Sequence, residues 1–188
     1  MMQKIFKHYT CSILTFIFIV TSNAYAENDT LTNVFASNLY QYSIRYPTTW
    51  KLAEHGEGVV VFTGQDAQSK RHFTVNIQTI YTKKGGGKYK SIKDLMDDFR
   101  SQVPIHTQEA KFLDRAPFDL KETDGSTTSG EQTTLTFKEN KQTYKQWQIM
   151  LTSKDGKLFQ AWAYRAPIES FDANRPLAAS MLASWIIN

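Results

Sequence analysis

The sequence predicts an α+β fold, a central antiparallel sheet sandwiched by helices, and three observations carry that expectation. Short segments with period-two alternation recur along the chain, two segments place apolar residues at helical spacing, and the last strands are separated only by tight turns. The order strands, helix, strands, helix points to helices packed on one antiparallel sheet rather than to alternating β-α-β units.

The elements follow in order. Lys4 and Lys7 precede the apolar run 12–20, and Ala24-Tyr25-Ala26 puts small residues at the −3 and −1 positions of a cleavage site. Residues 1–26 therefore read as a secretory signal cleaved after Ala26. The apolar run is about half of the roughly 20 residues a membrane span requires, so no transmembrane segment is expected after cleavage. His8-Tyr9-Thr10 before Cys11 lacks the small and aliphatic residues of a lipidation site. Residues 27–39 are polar and unpatterned and are expected to form a flexible leader to a single domain over 40–188. Tyr40, Tyr42, Ile44 and Tyr46 then alternate with polar residues as far as Pro47, and Val59 to Phe62 form a second strand between Gly58 and Gly64. Arg71 to Tyr81 form the clearest strand, with Phe73, Val75, Ile77 and Tyr81 on one face and His72, Thr74, Asn76 and Gln78 on the wetter one.

Ser91-Ile92-Lys93-Asp94 resembles a capping box with Asp in place of Glu or Gln. Ile92, Leu95, Met96, Phe99 and Val103 follow at helical spacing to a stop at Pro104. Next come a strand over 111–120, a turn-rich stretch over 123–130, and strands over 133–138, 144–152 and 157–165. Asn140-Lys141 turns the first pair of these last three, and Asp155-Gly156 supplies the positive dihedrals of the second turn. Pro167 closes the meander, and Leu177, Met181, Leu182, Trp185 and Ile186 mark a C-terminal helix with Pro176 in its first turn.

At 188 residues and 21.6 kDa, with 41% hydrophobic and 21% charged residues, the chain can bury one sizeable core but not two. A mean hydropathy of −0.44 with 13% aromatic residues excludes a disordered chain and a polytopic membrane protein. The single cysteine, Cys11, lies in the signal, so packing rather than disulfides must hold the mature chain. Two of the 22 basic residues and none of the 18 acidic ones fall in the signal, which leaves a formal charge of +2. That is far from the basic excess of a nucleic-acid binder, and no nucleic-acid partner is expected.

The segment Tyr42-Ser43-Ile44-Arg45-Tyr46-Pro47-Thr48-Thr49-Trp50 resembles the opening of PsbP-like domains, where an aromatic strand runs into Tyr-Pro and then Trp. Phe159-Gln160-Ala161-Trp162-Ala163-Tyr164 and Met181-Leu182-Ala183-Ser184-Trp185 are similar to that family's last strand and helix, so the resemblance spans residues 40–187. It implies a sheet sandwiched between helices, as shared by photosystem II extrinsic subunits, Ran-binding import factors, and bacterial envelope proteins and secretion chaperones. Most of those relatives bind and organise other macromolecules and share no catalytic motif. The resemblance carries over no binding residue.

Chemistry-bearing patterns are sparse. No Gly-x-Ser-x-Gly elbow occurs, and His55, His72 and His106 fall in separate elements without a recognisable partner. Glu54, His55 and Glu57 cluster in one loop and His106 stands near Glu109, yet no His-Glu-x-x-His or calcium-loop spacing is present. Neither a metal nor a cofactor is expected. The most unusual local sequence places Lys83, Lys84, Lys88 and Lys90 around Gly85-Gly86-Gly87 just before a helix start. Ammonium groups and flexible backbone amides together suit an anion such as a lipid headgroup or an acidic partner; a solvated connecting loop is the alternative. It is not a nucleotide P-loop, because Tyr89 stands where Ser or Thr is required. Trp147 and Trp185 fall on apolar faces and read as core, whereas Trp162 shares a mixed stripe with Leu158, Gln160 and Tyr164 and suits either a core or a ligand platform.

These readings point to an exported, non-catalytic binding or assembly accessory protein of the bacterial envelope, periplasmic or secreted. A protein partner there is expected, with contact to an anionic surface or lipid headgroups through the lysine loop. Two alternatives stand beside it: a secreted hydrolase built from His72 or His106 with a carboxylate, and a chaperone-like binder of a hydrophobic client segment. Convergence of those side chains in a pocket would favour the first, and an exposed apolar stripe on the sheet the second.

Overall fold

The computed structural model describes residues 31–66, 70–122 and 124–187, so the signal and the first residues of the leader lie outside the described residues. Along the chain run β1 (Asn33–Ser37), β2 (Tyr42–Tyr46), β3 (Lys51–Glu54), β4 (Val59–Gln65), β5 (His72–Tyr81) and α1 (Ile92–His106). They are followed by β6 (Gln108–Phe112), β7 (Ala116–Lys121), β8 (Thr127–Glu139), β9 (Gln142–Thr152), β10 (Leu158–Pro167), α2 (Ile168–Ala183) and the short β11 (Ile186–Ile187). Eight strands form one sheet in the order β3-β4-β5-β10-β9-β8-β6, with β7 also paired to β8, and β1-β2-β11 form a second. All of these strand pairings are antiparallel.

The two helices take opposite faces of the large sheet. Leu95 and Met96 of α1 pack on Met150, Phe159 and Ala161. On the other face, Phe171, Ala178, Met181 and Leu182 of α2 join the small sheet over Phe62, Val75, Ile77, Ile149, Trp162 and Tyr164. The expected α+β sandwich is present, with a small sheet added to one outer layer.

Because β10 lies between these layers, every residue of it except Arg165 is buried. Trp162 stands opposite both Ile77 and Ile149 and meets Trp147 edge-on, with ring centroids 5.4 Å apart. Gln160, with no exposure, needs partners for a buried amide; its oxygen accepts from the Thr79 hydroxyl at 2.9 Å and its nitrogen donates to the Tyr40 carbonyl at 3.0 Å. The Tyr164 hydroxyl donates to the Phe171 carbonyl at 2.9 Å, which ties the first turn of α2, an end without a side-chain cap, to the sheet.

Several sequence expectations need correction. Asn33–Ser37, placed in a flexible leader, form β1 in register with Tyr42–Tyr46, and Phe35 meets Phe62 edge-on at 6.1 Å. Gln41 makes the intervening turn at φ 58°, so β2 starts at Tyr42 rather than Tyr40. Pro104 does not end α1 but sits in its last turn, two residues before the helix stops, and the Thr107 N–H and hydroxyl both donate to the Val103 carbonyl and close that end. The strand expected over 111–120 divides into β6 and β7 because Asp114 turns back onto β8: its carboxylate accepts from the Thr134 N–H and its carbonyl from the Thr133 hydroxyl, each at 2.6 Å. Thr127–Gly130, read as turn, extend β8, and Gly125 at φ 83° turns the chain before it.

At the hairpins, Asn140 and Lys141 both adopt positive φ (48° and 66°), but of Asp155-Gly156 only Gly156 does, at 71°. The last helix begins eight residues before Pro176, which is therefore mid-helix, on its exposed face. Trp185 lies beyond the helix end, still buried at 1% exposure against Tyr42.

Trp185 joins α2, the small sheet and the core, and its truncation leaves a cavity at their junction. Trp185→Ala is expected to lower stability by about 3–5 kcal/mol, measured by urea denaturation as a shifted midpoint with an unchanged slope.

Candidate functional site

Between α1 and strands β5, β10 and β9 lies a cleft of about 310 Å³. Its apolar lining comes from Ile80, Leu95, Phe99, Met150 and Ala161, and five amide side chains, Asn76, Gln78, Gln102, Gln146 and Gln148, supply most of the polar part. Strand register explains their placement. Asn76, Ala163 and Gln148 form one row across β5, β10 and β9, and Gln78, Ala161 and Met150 form the next. Ala161 keeps the floor low between the longer side chains, while Ala163 is buried beneath its neighbours.

Gln148 is buried and fully engaged: its nitrogen donates to the Trp162 carbonyl at 3.0 Å and the Ile149 carbonyl at 3.2 Å, and its oxygen accepts from Gln146 at 3.0 Å. It thereby orients Gln146. The side chains of Asn76, Gln78 and Gln102 make no hydrogen bond among the described residues.

Tyr89 and Asp98 close one wall. The Tyr89 hydroxyl donates to the Asp98 carboxylate at 2.5 Å, and Lys88 approaches the same oxygen at 3.5 Å. The Tyr89 bond above all, with Lys88 behind it, holds the Asp98 carboxyl below the usual carboxylate range. Burial first, and then the same bond, push the Tyr89 phenol up. Ser91 fixes the start of α1 by accepting from the Asp94 N–H at 3.1 Å, while the Asp94 carboxylate reaches back to the Lys90 N–H at 3.2 Å. The capping box thus closes one residue earlier than its usual form.

The lysine loop is built differently from an anion cradle. Lys83–Gly85 form a single 3-10 turn capped by Thr82, and the N–H groups of Gly85, Gly86 and Gly87 donate to the Thr82, Lys83 and Thr82 carbonyls. Those amides are spent inside the loop. A side chain at Gly85 would meet the Lys157 carbonyl oxygen at 2.3 Å, so this glycine serves close packing. Lys83, Lys84, Lys88 and Lys90 are all exposed; Lys84 donates to the Asp155 carbonyl at 2.8 Å, and Lys88 lies over the Tyr89 ring as well as near Asp98. Trp162, with no exposure, belongs to the core and offers no surface to a ligand.

His55, His72 and His106 are exposed in separate places: the loop after β3, the start of β5 and the end of α1. Among the described residues no three His, Cys, Asp or Glu side chains gather in a metal-binding arrangement. The cleft was only partly legible in the sequence. Asn76 and Gln78 were visible as the wetter face of β5, but Gln146 and Gln148 flank Trp147 on a strand read for its apolar face, and only the sheet order brings the two pairs together.

No protein-family model and no curated protein matches the sequence. Solved structures do match by shape. The solution structure of cyanobacterial PsbP (CyanoP) from Synechocystis sp. PCC 6803 superposes with a TM-score of 0.55 at 17% identity, covering 83% of this chain and 92% of that one. The Ran-binding protein Mog1p of Saccharomyces cerevisiae gives 0.51 at 11% identity, covering 82% and 95%. The chain has the PsbP-like fold. A third protein similar to it, LpqN of Mycobacterium tuberculosis, involved in cell envelope biogenesis, gives 0.51 at 13% identity, covering 78% and 83%. At these identities, what is shared with the PsbP-like structures is architecture.

Since Asp98 is more acidic in the folded chain than in the unfolded one, its contribution is complete above the ordinary carboxylate pKa of about 4 and is lost as pH falls through the depressed folded value. Acid titration of stability should therefore be steeper for the wild type than for Asp98→Asn below about pH 4, with parallel curves between about pH 5 and 7. Equal slopes in acid would remove this role.

Proposed function

We propose that the protein is an exported, non-catalytic binding protein of the bacterial envelope, periplasmic or secreted, that acts as an accessory or assembly factor by holding a protein partner at the cleft beside α1. The observation that carries this reading is the cleft itself, a concavity in which Asn76, Gln78 and Gln102 present amides that lack protein partners among the described residues. Export is supported by the signal-like layout of residues 1–26, and an envelope setting by the name of LpqN. A binding role is supported by the name of Mog1p. The exposed, separate positions of His72 and His106 favour this reading over the hydrolase. A second contact, with an anionic surface, is favoured by Lys84, Lys90 and Lys93, which line one open depression at the start of α1.

The test is crosslinking in the native envelope followed by mass spectrometry. A dominant partner is expected with the wild type. It should be lost with Gln102→Trp, which fills the cleft from an exposed position of α1, and retained but weakened with Lys83, Lys84, Lys88 and Lys90 all replaced by Ala. No enriched partner, or one indifferent to Gln102→Trp, would sink the reading. Terminal sequencing of the same sample should find a chain that begins at Glu27.

A further inference from the structure

We propose that the pocket between the small sheet and the β3–β4 hairpin binds the primary ammonium group of an alkylamine, with the Glu54 and Glu57 carboxylates as its counter-ions and the rings of Phe35 and Tyr40 beside its alkyl chain. The pocket has a volume of about 210 Å³ and is lined from one side by Phe35, Ser37 and Tyr40 and from the other by residues 54 and 56–60. Phe35 and Tyr40 pack on the core that α2 covers, whereas α1 covers the other face of the large sheet. This site is therefore separate from the cleft beside α1, and its test stands apart from that of the cleft.

Strand register places a carboxylate there. Glu54 pairs with Val60 across β3 and β4, and directly opposed residues project to the same face, so Glu54 shares its face with a core residue. Glu57 joins it from the turn at φ 46°, a left-handed conformation uncommon outside glycine. Neither carboxylate has a hydrogen bond or ion pair among the described residues, and the lining contains no basic side chain. Two uncompensated negative charges in one concavity raise the local concentration of cations. The opposite wall is held in place: the Tyr40 N–H donates to the Ser37 hydroxyl at 3.2 Å, and its carbonyl accepts from the buried Gln160 at 3.0 Å. A side chain at Gly58 would meet the Tyr40 ring at 3.0 Å, so the hairpin backbone and this ring lie in close contact.

Tyr42 adds a buried hydroxyl on the inner side of the pocket. It stands directly opposite Ser37 in the small sheet, so its side chain projects to the face that Phe35 and Ser37 present to the pocket. Tyr42 is 2% exposed, and its hydroxyl has no hydrogen-bond partner among the described residues. The large majority of buried polar side-chain atoms are paired, so this one calls for an atom that the protein does not supply. Burial first, and then the Glu54 charge and Tyr40, push the phenol pKa up, which sets the hydroxyl in the field of the pocket's own lining. These groups fit one ligand. An ammonium carries three N–H donors, matching two carboxylates and a hydroxyl lone pair, and aromatic rings beside it favour a cation. A metal ion asks instead for a closed shell of oxygens, which a wall of Phe35 and Tyr40 rings does not provide.

The experiment titrates the isolated, 15N-labelled protein with n-pentylamine, with Nα-acetyl-lysine methylamide and with 1-pentanol, and follows the backbone amide signals of Gly56, Glu57 and Gly58. Both amines should shift these three signals saturably and leave that of Gly125, in the turn before the distant β8, in place. Tighter binding of the lysine derivative identifies a protein side chain as the source of the ammonium, and tighter binding of pentylamine a free amine. Glu54→Gln with Glu57→Gln, both exposed, should weaken amine binding about tenfold, and Tyr42→Phe, which keeps the ring, about fivefold. Equal shifts with 1-pentanol would make the pocket an apolar slot and overturn ammonium recognition. Indifference to either variant, or no shift at about 10 mM of either amine, would overturn it as well. In that last case, self-association of Glu54→Gln would show that the carboxylate only guards the edge of β3.

Discussion

Burial of β10 on both faces is the constraint on which the rest of the structure depends. A strand with one wet face can be completed by a single layer, whereas one buried throughout demands two. α1 supplies one, and α2 with the small sheet supplies the other. The same constraint explains the residues along the strand: Trp162 and Tyr164 fill the thicker side, the alanines face the thinner one, and the lone buried amide of Gln160 is matched to the Thr79 hydroxyl and the Tyr40 carbonyl. Arg165, the exception, has its guanidinium over the rings of Phe137 and Tyr144 and paired with Glu139. Burial lowers its pKa, though a guanidinium stays charged at physiological pH.

The candidate site is a by-product of how the thinner side is covered. α1 packs mainly over β9, β8 and β6, with Arg100 reaching the Thr133 hydroxyl at 3.0 Å and Arg115 pairing with Asp97 on the helix and Glu131 on β8. Those contacts draw the helix toward one edge of the sheet. The cleft opens on the other side of the helix, where the sheet carries amides in place of aliphatic side chains. The Tyr89 hydroxyl bonds Asp98 in the middle of the same helix, so α1 is tied on the cleft side as well.

How much of this was legible in the sequence depended on whether the signal was local. The period of Arg71 to Tyr81 and the turn at Asn140-Lys141 are written in adjacent residues, and the strands they predict are present. β1 was hidden because five mixed residues carry too little pattern, and its partner β2 supplies the order. Pro104 and Pro176 misled for a physical reason: a proline forbids one hydrogen bond, and near a helix end or on a wet face the helix survives that loss. The glycines of the lysine loop suggested an open cradle, yet their amides close on the loop itself. The amides of the cleft could not be seen at all as a unit, since Asn76 and Gln148 come into one row only through the crossover that inserts β10 between β5 and β9.

The small sheet joins strands far apart in the chain: β2 is flanked by β1, a few residues before it, and by β11, about 140 residues after it. A polypeptide made from its first residue onward has to wait for residue 187 before that sheet can close, and until then Tyr42 and Ile44 lack their cover. Such long-range closure is slow, because the loop entropy must be met before the contacts repay it. Until β11 docks, the apolar faces it helps to cover are open to proteases.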